Sequence, residues 1–84
     1  MNTRDLFGGH SRAEQPPLKY PVELECDVQV IRELSVRLTF IAGGKEILEW
    51  VPLKLIRFRG NGEPRLGAQV LDIERFKARE IGAL

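Results

Sequence analysis

A strict alternation of apolar and polar residues constrains this chain more than any other feature of its sequence. Every second residue from Val22 to Val30 is apolar, and the residues between them are Glu23, Glu25, Asp27 and Gln29. Because successive side chains of a strand point to opposite faces, the pattern predicts a long strand with one buried face and one acidic, solvated face. Cys26 falls in the apolar series, so we expect it to be a small core residue.

Two more strands are predicted to follow. The pair Arg32-Glu33 interrupts the alternation, which indicates a turn or a bulge, and the alternation resumes from residue 36 to residue 42. Gly43-Gly44 then predicts a two-residue hairpin turn, because both glycines can adopt positive φ at little cost. Residues 46–51 return as the third strand, and we expect Leu48 and Trp50 to face the core.

The C-terminal half predicts shorter elements. Pro52 cannot donate to a strand ladder, so it ends or borders the third strand. Residues 53–56 are compatible with a helical turn or with the start of a strand, and the segment 56–59 predicts a short fourth strand with a basic outer face. The cluster from Gly60 to Pro64 predicts a turn, and residues 68–71 predict a fifth strand.

A helix is predicted to close the chain. Asp72 is a suitable N-cap, Glu74 would lie favourably in the first turn, and Gly82 fits the position after the last turn. The order of elements predicts a mainly β fold with one C-terminal helix (α+β), arranged as a small SH3-like or OB-like antiparallel barrel. The expected core consists of Val22, Leu24, Cys26, Val28, Val30, Leu38, Phe40, Leu48, Trp50, Ile56, Phe58, Val70 and Phe76.

Length and composition are those of one small folded domain. The chain has 84 residues, of which 43% are hydrophobic and 30% are charged. We expect residues 1–17 to form a flexible N-terminal arm, since they have no periodicity, and residues 18–84 to form the domain. No apolar run approaches the roughly 18–20 residues that span a bilayer, and Met1 to Ser11 lack the apolar region of a secretory leader. With one cysteine, we expect a soluble protein of a reducing cytoplasm, and no contact with a membrane.

Charge is separated along the chain although the net charge is only +1. Residues 20–36 carry four carboxylates against one arginine, a net −3, and residues 54–67 carry four basic residues against one carboxylate, a net +3. This separation predicts one acidic and one basic face, which matters for the choice of partner. The candidate partner-binding residues are Lys54, Arg57, Arg59 and Arg65, on a basic face next to Phe58 or Trp50, and Glu23, Glu25 and Asp27 on the acidic strand. Trp50 is itself a candidate, as an exposed anchor, if it does not fill the core.

No catalytic arrangement is recognisable. Nucleophilic catalysis requires a nucleophile, a base and an orienting group in one place. The single histidine, His10, lies in the predicted arm, and the hydroxyl groups are scattered over Thr3, Ser11, Tyr20, Ser35 and Thr39. We therefore expect the protein not to be an enzyme and to have no catalytic, cofactor-binding or metal-binding residues.

Several short motifs resemble those of a family of short phage- and prophage-encoded proteins. The similar segments are Val30-Ile31-Arg32-Glu33, Leu38 before the glycine turn, Trp50-Val51-Pro52 before Ile56, Ile73 to Phe76, and Ala78-Arg79-Glu80-Ile81-Gly82. The family pattern is an Arg-Glu-Thr strand end, a Trp-hydrophobic-Pro segment and a helix of the form hydrophobic-Pro-x-Trp-hydrophobic-Ala-x-x-Lys-Gly-Leu. The chain departs from this pattern at Leu34 (Thr in the family), Glu74 (Pro), Phe76 (Trp) and Ile81 (Lys), and Ala83 is inserted before Leu84.

The resemblance covers residues 22–84 and implies an origin on a mobile element, hence the cytoplasm of a bacterial host. It supplies no catalytic residue. Two functions fit these observations. The first is an accessory protein that binds and occludes a host or phage protein, as anti-CRISPR and other host-defence antagonists do. The alternative is a module that binds single-stranded nucleic acid in phage DNA metabolism, through phosphate pairing and base stacking. Either function is compatible with a monomer or a homodimer.

Overall fold

The computed structural model describes residues 17–84, which form five antiparallel strands and one short C-terminal helix, as the sequence predicts. The strands lie in the order β3-β2-β1-β5-β4, and each neighbouring pair is antiparallel. The predicted arm, apart from Pro17, lies outside the described residues. The elements are β1 (Pro21–Ile31), β2 (Ser35–Ala42), β3 (Lys45–Pro52), a 3₁₀ turn (Leu53–Leu55), β4 (Ile56–Phe58), β5 (Gly67–Glu74) and α1 (Arg75–Glu80).

The sheet is open, so the predicted barrel is not confirmed. Its two edges are β3 and β4, and over residues 17–84 these edges do not pair with each other. The long strand β1 is shared between two halves of the sheet. Its residues 21–28 pair with β5, whereas only residues 27–31 pair with β2, with a register shift between Val28 and Val30. As a result β1 and β2 separate on one side of the Asp27–Thr39 pair, which opens a cleft between them.

One face of the sheet carries the core, and α1 packs on this face through Ala78 and Ile81. The alternation of β1 is confirmed, since Leu24, Cys26 and Val28 are buried while the residues between them are exposed. The buried apolar residues are Leu24, Cys26, Val28, Val36, Leu38, Phe40, Val51, Leu53, Ile56, Phe58, Leu71, Ile73, Ala78 and Ile81.

The predicted inward face of β3 is wrong. Val51 is fully buried, whereas Trp50 is 43% exposed and Leu48 is 52% exposed. The hairpin turn is the cause. Gly43 and Gly44 both have positive φ, as predicted, and the two-residue turn aligns the core residue Phe40 with Ile47. Directly opposed residues of a sheet share a face, so the odd-numbered residues of β3 face the core and Trp50 faces outward.

The predicted start of the helix is also wrong. β5 continues through Asp72 to Glu74, because Leu71 and Ile73 are both fully buried and fill the core opposite Leu24 and Val22. Only six residues remain for α1, with Glu74 rather than Asp72 in the N-cap position.

Three more residues of the expected core lie outside it. Phe76, on the short helix, is 60% exposed, and Val70 is exposed because the alternation of β5 turns it away from the core. Val30 is only half-buried, since the register shift of β1 places it opposite Arg37 on the other face of the sheet. The end of the helix is as predicted, with Gly82 at a φ of 86°.

Candidate binding surface on the outer face of the sheet

The face of the sheet opposite the core is here called the outer face. It carries exposed aromatic, aliphatic and charged side chains that could contact a partner. Two rows of side chains cross it at right angles to the strands. In the first row Trp50 of β3 lies opposite Arg37 of β2, which in turn lies opposite Val30 of β1. In the second row, two residues further along the strands, Leu48 of β3 lies opposite Thr39 of β2. Trp50, Leu48 and the neighbouring Ile41 are all exposed large apolar residues. Clustered exposed apolar side chains typically mark an interaction site.

Two guanidinium groups lie close to the ring of Trp50. The Cζ atom of Arg32 is 5.8 Å from the ring centroid and that of Arg37 is 6.0 Å from it, both within the range of cation–π attraction. Arg37 is the cross-strand neighbour of Trp50, and Arg32 follows β1 at the turn to β2. The Nε atom of Arg37 is buried and has no hydrogen-bond partner among residues 17–84. We call Arg32, Arg37, Leu48 and Trp50 the Trp50 surface.

The other end of the outer face is acidic. Glu25, Asp27 and Glu46 line the cleft between β1 and β2, which has a volume of about 480 Å³. Thr39 and Ile41 also line this cleft, together with the core residues Leu24, Cys26 and Phe40. The structure thus keeps two of the three predicted acidic residues together and adds Glu46, which the sequence analysis did not select. No group of three or more His, Cys, Asp or Glu residues in the described part could hold a metal ion.

The third acidic residue, Glu23, meets the basic segment instead. Arg59 donates hydrogen bonds to Asp72 Oδ1 at 2.6 Å and to Glu23 Oε2 at 2.8 Å. The hydrogen bond to Asp72 makes the largest contribution and that to Glu23 the next, and together they raise the pKa of the Arg59 guanidinium above its ordinary value. The opposite charges that the sequence separates by more than 30 residues therefore partly neutralise each other within the fold.

Two of the other predicted basic residues, Lys54 and Arg57, lie at the 3₁₀ turn between β3 and β4. Arg57 donates to three main-chain carbonyls at the 3₁₀ turn, those of Ile56 at 2.6 Å, Lys54 at 3.0 Å and Leu53 at 3.5 Å. A guanidinium held in this way stabilises the turn between β3 and β4. The Lys54 side chain is exposed on that turn.

Arg65 spans the loop between β4 and β5. Its guanidinium donates to the Arg59 carbonyl at 2.8 Å and to the Gln69 side chain at 3.2 Å, and it also contacts Asn61 and Glu63. The three arginines thus make contacts within the fold, and none of them lies beside Trp50 as the sequence suggested. Their role in binding a partner stays a prediction.

Cys26 lies beneath the acidic cleft. Burial, followed by the negative charge of Asp27, raises the pKa of its thiol from 9.0 to about 11. The thiolate is the nucleophilic form, so burial and the raised pKa both disfavour reaction of this cysteine at neutral pH. Of the scattered polar groups considered in the sequence, His10, Thr3 and Ser11 lie outside the described residues.

Arg32, Arg37 and Leu48 were not predicted from the sequence as residues of a binding surface. A signal was nevertheless present, because the two-residue turn at Gly43-Gly44 determines which residues of β2 and β3 oppose each other. If Phe40 faces the core, its partner Ile47 does so too, and Trp50 and Arg37 must then lie together on the opposite face.

Comparisons with known proteins assign no family. No family model, no curated protein and no solved structure matches the chain. Among residues 17–84, no helix is long and apolar enough to cross a membrane. The geometry of the outer face is therefore the basis for a proposed function.

Proposed function

We propose that this chain is a non-enzymatic accessory protein that binds a protein partner and occludes part of the partner's surface. The observation that carries the proposal is Trp50, which is half-exposed, lies close to the guanidinium groups of Arg32 and Arg37, and has the exposed Leu48 beside it. Trp and Arg are the residues most enriched among those that dominate binding energies at protein interfaces. The Trp50 surface combines both types on a strand.

Folding does not account for an exposed tryptophan at this position. The core position of β3 is filled by Val51, and any residue with good strand propensity could occupy position 50 without loss of core packing. The two guanidinium groups are within cation–π range of the ring and offer charge beside a large apolar area. The partner that best fits has an apolar pocket for Trp50 bordered by carboxylates, with basic groups opposite Glu25 and Asp27.

The biological setting is a further part of the proposal. The resemblance to short phage and prophage proteins supports an origin on a mobile element and a place of action in the bacterial cytoplasm. A host-defence antagonist of the anti-CRISPR type fits a small chain that works by occlusion. The antiparallel strand order and the short 3₁₀ turn that joins the two edge strands support a relation to the small barrels, here with the sheet open between β3 and β4.

The test is affinity capture from a nuclease-treated bacterial lysate, followed by measurement of direct binding to the purified partner. Trp50→Ala should weaken binding by about 30-fold or more, the ordinary effect of losing an interface residue worth about 2 kcal/mol. The matched control is Phe76→Ala, which removes another exposed aromatic side chain, on α1. Equal loss of binding in both variants, or full binding by Trp50→Ala, would contradict the proposal.

Binding of single-stranded nucleic acid is the second candidate, favoured by one observation. A base could stack on the exposed ring of Trp50 while Arg32 and Arg37 pair with phosphates. Fluorescence of the single tryptophan, titrated with an unstructured oligonucleotide at several salt concentrations, tests this function. Two phosphate contacts predict a slope of log K against log salt of about −1.4. Quenching with this slope would favour nucleic acid over a protein partner.

A further inference from the structure

Among residues 17–84, one edge of the strand β3 is unpaired. It is eight residues long, from Lys45 to Pro52, and its hydrogen-bonded neighbour in the described sheet is β2 alone. The opposite edge strand, β4, has three residues. Short edge strands are a common protection against association, whereas a long edge offers a row of main-chain donors and acceptors to another strand. β3 contains no glycine, and its single proline stands at its last residue.

The hairpin turn determines which groups of β3 point outward. In a two-residue hairpin the residues that flank the turn, here Ala42 and Lys45, form a hydrogen-bonded pair. Odd-numbered residues of β3 therefore bond to β2, and the N–H groups of Glu46, Leu48 and Trp50 point away from the sheet. Pro52 is also even-numbered, so its missing N–H costs the β2–β3 ladder nothing.

The side chains of this edge are complementary in charge to the same edge of a second, antiparallel copy. On the core side, Lys45, Ile47 and Glu49 follow one another at alternate positions. Glu49 is half-buried opposite Leu38, and its carboxylate has no ion pair with another residue of the described part. If a second copy lies antiparallel with Ile47 opposite its own equivalent, each Lys45 faces the Glu49 of the other copy. Centring the pair on Glu49 would instead place two carboxylates opposite each other.

We propose that β3 pairs with β3 of a second copy of this chain, antiparallel and centred on Ile47. The two five-stranded sheets then form one sheet of ten strands about a twofold axis. Ile47 is half-buried and lies next to the turn at Gly82, at the border of the core. Contact between the two Ile47 side chains would therefore join the cores of the two copies across the axis. The proposal concerns the edge of the sheet and is independent of the proposed function. It would place two Trp50 surfaces on the same side of one sheet.

Sedimentation equilibrium of the full-length chain, from micromolar to millimolar concentration, tests the pairing. The mass should rise from 9.6 kDa toward twice that value. Glu49→Lys should weaken association at least tenfold, because Lys45 would then face a lysine. The double variant Lys45→Glu/Glu49→Lys should restore association, since it exchanges the charges and keeps the pairs. Trp50→Ala should associate as the parent chain does.

A second pair of variants isolates the main-chain bonds. Leu48→Pro removes an outward N–H and should abolish association, whereas Leu48→Ala keeps that N–H and should retain it. Circular dichroism establishes that each variant is folded, and the charge exchange decides the question if Leu48→Pro does not fold. A parent chain that stays monomeric at every concentration would overturn the proposal. So would association that Glu49→Lys leaves unchanged, or that the double variant fails to restore.

Discussion

The stability lost in Trp50→Ala, compared with that lost in Phe40→Ala, shows which face of β3 is buried. Phe40 is 3% exposed and belongs to the core, whereas Trp50 lies on the outer face with 43% of its surface exposed. If Trp50 were a core residue, its replacement by alanine would cost about 3–5 kcal/mol, the usual range for a buried aromatic side chain. So small a domain has a stability of only several kcal/mol, and such a loss would remove most of it.

The structure predicts a smaller cost for Trp50. A fully buried aromatic side chain removes about 150–250 Å² from water, so with nearly half of Trp50 exposed roughly 100 Å² is at stake. At about 25 cal/mol per Å² this gives an upper bound of ~2.5 kcal/mol. The substitution leaves an open surface rather than a cavity, so no cavity cost is added. We expect Trp50→Ala to lose about 1–2.5 kcal/mol and Phe40→Ala about 3–5 kcal/mol.

Urea denaturation followed by circular dichroism measures both losses, since the Trp50 variant has no tryptophan left to report by fluorescence. In the parent chain the same tryptophan should be accessible to a neutral quencher in the folded state. Equal destabilisation by the two variants, or a folded-state tryptophan shielded from the quencher, would refute the assigned register of the β2–β3 hairpin. The outer face would then lose the basis of its proposed function.

Four other predictions concern the charges, the thiol and the arm. Arg59→Ala should lower the melting temperature and its dependence on salt, because this guanidinium joins two carboxylates, whereas Lys54→Ala should have little effect. Because the native state binds the Cys26 proton more tightly than the unfolded chain does, the thiol's contribution to stability is complete below pH 9.0. Thermal melts should show it lost as the pH rises toward the native pKa of about 11. Hydrogen bonds from the main-chain N–H groups of Lys19 and Tyr20 lower the pKa of Glu74 below its ordinary 4.5. The contribution of Glu74 to folding stability is therefore present above pH 4.5 and is lost in more acidic solution. Glu74→Gln should reduce the stability that the chain loses on acidification. Deletion of Met1 to Gln15 should leave the melting temperature within a few degrees, and a large drop would place the domain boundary nearer the N-terminus.

Local sequence patterns predicted the strands and the turn well where the apolar residues followed one clear periodicity. The alternation from residue 22 to residue 30 gave β1 and the burial of Cys26, and the two glycines gave the hairpin. The junction of β5 and α1 was predicted poorly, since Asp72 is an acceptable N-cap by itself. It became part of a strand because Leu71 and Ile73 have cross-strand partners in β1 and β4. Local propensity was overridden by tertiary pairing there.

The candidate site was predicted only in part. Trp50, Glu25 and Asp27 were selected from the sequence, and the structure leaves all three on the outer face. The separation of charge along the chain suggested two faces of opposite sign, but Arg59 bridges Glu23 and Asp72 instead. The net charge of a segment gives no information about its neighbours in space, because an exposed arginine pairs with whichever carboxylate the fold brings near it.

By itself, the sequence determined the class of fold, the hairpin and the burial of one face of β1, since each depends on a few neighbouring residues. The tertiary structure decided that Val51 rather than Trp50 enters the core, that β1 is shared by both halves of the sheet, and that Arg32 and Arg37 lie close to the tryptophan. The physical reason is that side chains alternate with a period of two. A one-residue change of register exchanges the buried and exposed faces of a strand. The turn at Gly43-Gly44 sets the register of the β2–β3 hairpin, but which face of that hairpin is buried, and how β1 pairs with β5, depend on residues that are distant in the chain.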